Sequence, residues 1–256
     1  MHKKFTNAGQ LPEYPLDMPP PYWRSSGAIF QITSSLDDLC NLLNSLLDAH
    51  PEIDGLIFDY FDRNPDSDDE GSEFGEICAP LWEVESKIIL KSELAILMAA
   101  IQSEDHLNRI TVYNLHKDIS DSIEKLSPPQ KLLIIAANLT GESIKDCRSY
   151  EAIKNLAGWR NSYAHGHCTD RPTKTLRHNH LISPEEYPSV PKAIDFMVKQ
   201  LKGYLELSNY LRKISLNEYT SRPSTHDSEI ENYLKEIERY HFTFEDDGQV
   251  YDIEYK

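Results

Sequence analysis

Asn155-Leu156-Ala157-Gly158-Trp159-Arg160-Asn161-Ser162-Tyr163-Ala164-His165-Gly166-His167 is the stretch on which the fold turns. Tyr150, Ile153, Leu156, Ala157, Arg160, Tyr163 and Ala164 recur at the spacing of one side of a helix. Gly166 is placed to end that helix, because glycine takes the left-handed closing conformation without a Cβ penalty. Asn161 and His165, four residues apart, then lie about 40° apart around the axis. Arg160 and His165 lie about 140° apart, so Arg160 flanks the pair.

Working outward, the spacing predicts helices on both sides. A long helix is expected from about Pro191 to Ile214, with Ile194, Met197, Leu201, Tyr204, Leu205 and Leu211 available for packing. Gln130 to Leu139 predicts a short buried helix that follows the Ser127-Pro128-Pro129 break and stops at Thr140-Gly141. Two longer helices are expected before it, one starting near Pro80 and one from about Glu104 to Leu126. Leu36 to Leu47 predicts an amphipathic helix over 36–49, with Ser34 and Ser35 as candidate caps. Gly27 to Ile32 suggests a short strand, and Ile53 to Phe61 fits strand or helix. Residues 62–76 suggest an acidic solvated loop, and the prolines of residues 1 to about 30 suggest an extended arm. At the other end, Ser221 to Asp227 predicts a linker and Ser228 to Tyr240 a helix. Phe242 to Glu245, Asp246-Asp247-Gly248 and Val250 to Tyr255 then alternate around a turn, as in a β-hairpin. The expected fold class is mainly α: an antiparallel helical bundle with an N-terminal arm and a small C-terminal hairpin. The expected organisation is 1–79 as arm, helix and acidic loop, 80–215 as helical domain, and 216–256 as C-terminal helix and hairpin.

The chain has 256 residues, 39% hydrophobic and 27% charged, which predicts a folded protein rather than a disordered one. It has no apolar run of eighteen residues and no apolar segment after Met1-His2-Lys3-Lys4. Neither a membrane span nor a secretory leader is expected, so a soluble cytoplasmic protein is. Cys40, Cys78, Cys147 and Cys168 form no CxxC pair and are expected as free thiols. The formal charge is −16. A body this acidic cannot hold long nucleic acid by its overall field, so any such function needs a local basic pocket.

The α-helical end at Arg160 to His165 carries the chemistry. A guanidinium clamps a phosphate through two hydrogen bonds. An imidazole exchanges a proton near neutral pH. The two suit attack of a ribose 2′-hydroxyl on its own phosphodiester, which needs no metal. Arg160-Asn161-Ser162-Tyr163-Ala164-His165-Gly166, within a helical frame, resembles the motif of the HEPN superfamily, and the resemblance covers about residues 80–215. Many HEPN proteins are endoribonucleases of toxin–antitoxin, CRISPR and phage-defence systems that dimerise to form a composite cleft. The resemblance implies RNA as substrate, with Arg160 holding the scissile phosphate, His165 as general base or acid, and Asn161 orienting His165 or the phosphate. Lys154, Tyr163 and His167 are the candidate substrate-binding residues beside them. Dimerisation would bring two Arg160 side chains together, with Lys154, Arg171, Lys174 and Arg177 nearby in sequence. Products with a 2′,3′-cyclic phosphate and a 5′-hydroxyl are implied. A homodimer is implied too, with an antitoxin, sensor or regulatory protein as partner. Glu83 and Lys87 are similar to an accessory acidic-x3-basic pair of part of the superfamily. Such a pair also arises as an ordinary i,i+4 salt bridge. A non-catalytic HEPN scaffold is the alternative.

No cofactor and no metal is assigned. His165, His167, Cys168, His178 and His180 offer zinc-type ligands but match no zinc spacing. Asp62, Asn64, Asp66 and Glu73 resemble a calcium loop, with Ser67 where glycine is needed. His106 and His116 are expected as surface or interface residues.

Overall fold

A computed structural model describes residues 22–64, 72–165, 189–244 and 251–256. The chain is mainly helical, with a two-stranded antiparallel sheet at its end. The first two helices are α1 (Tyr22–Arg63) and α2 (Ser72–Asn114). Asp38 pairs with Lys91, and Arg63 with Glu73, so the two run antiparallel along their length. Then come α3 (Lys117–Ile123), α4 (Pro128–Thr140), α5 (Arg148–His165) and α6 (Val190–Ile214). A single turn α7 (Glu218–Ser221) and α8 (Thr225–Ile237) lead into β1 (Tyr240–Phe244) and β2 (Tyr251–Tyr255).

The hairpin forms as the alternation predicts, with Phe242 opposite Ile253 and Tyr240 opposite Tyr255. The α4 helix also follows its signals. Pro128 opens it, and the Gln130 side chain accepts from the Ser127 backbone N–H at 3.1 Å. Gly141 closes it at φ 77°, its N–H donating to the Ala137 carbonyl. The α6 helix matches its expected span.

Other expectations are corrected. Gly27 to Ile32 is not a strand, and residues 22–30 belong to α1 rather than to an extended arm. Ala28, Ile29, Ile32, Leu36, Leu39, Leu43 and Leu46 continue one buried helical series. Ser35 is buried inside that series and caps nothing. Residues 53–61 are helical in the same α1, which carries Pro51 in its interior. Likewise α2 begins eight residues before Pro80. A proline removes one intrahelical hydrogen bond, and Pro51 and Pro80 are themselves exposed. The acidic segment expected as a loop over 62–76 is helical at both ends, and residues 65–71 lie outside the described residues.

The two helices expected over 80–126 are instead α2, continuous through Glu104, followed by α3. Ser103 is buried and donates to the Ala99 carbonyl at 2.7 Å, so α2 runs on. It ends at Asn114, whose Oδ1 accepts from the backbone N–H groups of Leu216 (2.7 Å) and Asn217 (3.0 Å). His116 then caps α3, its Nδ1 accepting from the Asp118 N–H. The expected linker over 221–227 holds the end of α7 and the start of α8, and α8 ends at Ile237 rather than Tyr240.

One core joins Leu36, Leu39 and Leu43 of α1, Ile88 and Ile96 of α2, Leu156 of α5, Met197 and Leu201 of α6, Ile230 and Leu234 of α8, and Ile253 of β2. A second joins Leu107 and Ile110 of α2 to Leu132 and Ile135 of α4, Ile153 of α5, and Leu207 and Leu211 of α6. Burial of this apolar area is the main stabilising term. The α5 helix thus lies against α2, α4 and α6, contributing to both cores.

Candidate functional site

The α5 helix is set by close packing. Ala152, Ile153, Leu156, Ala157 and Trp159 are buried. Ala152 faces Gly203 of α6, where an added Cβ would sit 3.1 Å from the Ala152 Cβ. Gly203 therefore lets the two backbones approach. This fixes which side of α5 stays accessible, and Arg160 and Asn161 project from it.

Arg160 is about a quarter exposed and bridges two partners. One guanidinium nitrogen forms an ion pair with the Glu104 carboxylate of α2. On its other edge, Nε and Nη2 donate to Asn161 Oδ1 at 3.3 and 3.0 Å. Asn161 is exposed, and Ser162 is buried with its hydroxyl donating to the Gly158 carbonyl at 3.1 Å. Arg160 and Asn161 are therefore in contact, whereas the expected pairing of Asn161 with His165 rests on a side chain outside the described ones. Glu104 is a member that the local reading missed. It lies 56 positions away and follows from no spacing rule.

Tyr163 and His165 fall in the last turn of α5, where the backbone is described. That backbone places His165 one turn beyond Asn161, about 6 Å along the axis. His167 lies outside the described residues, as does the rest of the His- and Cys-bearing segment 166–180. Lys154 is exposed and its ammonium lies 3.5 Å from the Glu151 carboxylate. It sits about 9 Å along α5 and about 120° around from Arg160, so α5 does not bring the two together.

Glu83 and Lys87 form an exposed ion pair at 2.6 Å. Lys87 holds the Glu83 carboxyl below its ordinary range by hydrogen bond and charge. The pair lies about 26–32 Å along α2 from Glu104, so it is no part of this site. Asp62 and Glu73, from the calcium-like spacing, fall in α1 and α2, and Glu73 pairs with Arg63.

His106 is not a surface residue. It is half-buried, and its pKa falls to about 3 through burial and the charges of Arg109 and Arg212. It belongs to a polar cluster that sequence reasoning missed. Buried Asp227 of α8 accepts from Ser208 Oγ at 2.8 Å and from Tyr204 at 3.4 Å, and pairs with Arg212. Burial and Asp227 push the Tyr204 hydroxyl well above its ordinary pKa. Asp227 thus ties α8 to α6.

Two further features lie apart from Arg160. His50, Asp54 and Asp252 have ligand-type atoms within 4.8 Å of one another and could hold a divalent cation. His50 Nδ1 already lies 2.9 Å from Asp54 Oδ2. A cleft of about 340 Å³ is lined by Ile194 and Val198 of α6 and by Ile237, Tyr240 and Phe242, and not by Arg160 or Asn161. Cys40, Cys78 and Cys147 are free thiols. Burial raises Cys40 to about 11 and Cys78 above its usual value, which makes both poor nucleophiles.

No family model matches the chain, nor does any curated protein or solved structure. Among the described residues, no helix is long and apolar enough to cross a membrane.

Proposed function

We propose that the chain is a HEPN-type endoribonuclease that cleaves RNA by 2′-hydroxyl attack at a site shared between two copies, acting as a defence or toxin effector. The observation that carries this reading is the joined Arg160–Asn161 pair on α5, one turn before His165. Asn161 and Glu104 hold the guanidinium in place, and a phosphate that displaces either of them is taken in two hydrogen bonds. His165 then serves as general base or acid. The packing of α5 between α2, α4 and α6 supports a helical-bundle frame of the HEPN kind. Exposed Ile101, three residues from Glu104 on α2, offers apolar surface for the second copy beside the site.

The test is cleavage of end-labelled RNA in EDTA by the wild-type protein, Arg160→Ala and His165→Ala. Cleavage by the wild type alone, leaving 2′,3′-cyclic phosphate ends, supports the reading. Equal cleavage by all three sinks it.

A non-catalytic scaffold is the second reading, and the Glu104–Arg160 ion pair favours it, because that carboxylate takes up part of the guanidinium. Removing residues 241–256 does not separate the two readings, since Tyr251 and Ile253 are buried in the core. Glu104→Gln does. It leaves a scaffold inert towards RNA and leaves a nuclease active.

A further inference from the structure

The outer ends of α1 and α2 form a two-helix projection. Over 51–63 and 73–84, only Ile53, Tyr60 and Cys78 are buried among the described residues. Further back, α1 buries a residue on every turn from Ala28 to Leu46. The projection holds itself together through an aromatic contact. The rings of Tyr60, Phe61 and Phe74 lie with centroids 5.4–5.8 Å apart. Yet it leaves large apolar groups outside. Phe58 is 72% exposed, Trp82 50%, Phe61 49% and Leu56 45%. Phe58 and Phe61 are three residues apart and share a face of α1. Large apolar side chains left exposed on both helices of one projection are characteristic of a binding surface rather than of a solvated helix pair.

Charge selects the occupant. Residues 51–84 hold eleven Asp and Glu against Arg63 alone, which is −10 of the chain's −16. Seven of the eleven lie on the two described helices. The same surface of a second copy would oppose like charges. RNA and an anionic lipid surface are repelled for the same reason. We propose that this projection docks a basic peptide segment of a partner protein. Its Lys and Arg side chains lie over the carboxylates, and its apolar side chains pack on Phe58, Phe61 and Trp82. Charge speeds the encounter, and the aromatics set the lifetime. This inference stands apart from the reading of the α5 end.

The test uses the full chain and three dye-labelled peptides of about 18 residues, read by fluorescence anisotropy at about 0.15 M salt. One is an amphipathic Lys/Leu/Trp peptide. The second has serine at its apolar positions, and the third has glutamate for lysine. The first is expected to bind at least about tenfold tighter than the second, and the third not to bind. Phe58→Ser combined with Trp82→Ser should weaken the first peptide by at least about tenfold. Leu90→Ser, equally exposed on α2 but outside the projection, should leave it unchanged. Unaltered helical circular dichroism shows that the variants fold. Equal binding of the first two peptides overturns the proposal. So does full affinity in the Phe58/Trp82 variant, or equal loss in Leu90→Ser.

Discussion

The Glu104 carboxylate on α2 meets the Arg160 guanidinium on α5, and Asn161 holds the other edge of the same guanidinium. With side chains 26% and 29% exposed, the pair is only partly shielded from water. Glu104→Gln should therefore cost about 0.5–1.5 kcal/mol in urea denaturation. It should also release Arg160 towards phosphate. One further phosphate contact steepens the slope of log RNA affinity against log salt by about 0.7–0.9. An unchanged slope would mean that Arg160 does not meet RNA.

His106 predicts a pH dependence. Its folded pKa of about 3 lies below the ordinary 6.5, so the unfolded chain binds the proton more readily. Its contribution is complete above about pH 6.5 and is lost as pH falls towards 3. Discounted for its partial exposure, the loss should reach about 1–3 kcal/mol by about pH 4.5. Urea midpoints between pH 7 and 4 should fall more steeply in the wild type than in His106→Gln. Parallel curves would place the acid sensitivity elsewhere.

What was legible in the sequence follows the range of the forces involved. The α4 helix, its Pro128 start and its Gly141 stop depend on neighbours within a turn, so local signals sufficed. The hairpin alternation is equally local. Gly27 to Ile32 misled because a short, mostly apolar segment looks the same in a strand and in a buried helix face. Only its continuation through Leu36 and Leu39 decides between them. Pro80 misled because a proline is common in the first turn of a helix, whereas α2 carries it in its interior. At the candidate site, the adjacency of Arg160 and Asn161 was readable. Glu104 was not, because tertiary packing alone brings it there. The same holds for His106 and Asp227, whose burial depends on partners from other helices.

Asp227 should be among the costliest positions on α8. Its carboxylate is buried and satisfies Ser208, Tyr204 and Arg212. Asp227→Ala leaves the Arg212 guanidinium, 14% exposed, without its counter-charge, at an expected cost of about 3–5 kcal/mol. Hydrogen exchange should show α8 losing protection before α2 and α6. A loss under about 1 kcal/mol would show that water or Asn209 replaces the carboxylate.

The approach of α5 to α6 predicts a size limit at Gly203. Alanine there gains about 1 kcal/mol of helix propensity. Its Cβ, however, meets that of Ala152 at 3.1 Å, so the helices must separate by a few tenths of an ångström. Gly203→Ala should therefore stay within about 1 kcal/mol of the wild type, its two effects offsetting each other. Gly203→Val adds two methyl groups that this contact cannot take, and should cost about 2–3 kcal/mol. A double-mutant cycle of Gly203→Ala with Ala152→Gly should show a coupling above about 0.5 kcal/mol, as expected for residues in contact. Additivity in that cycle would mean that the two helices are not held apart by these side chains. The position of Arg160 would then rest on Leu156 and Trp159 instead.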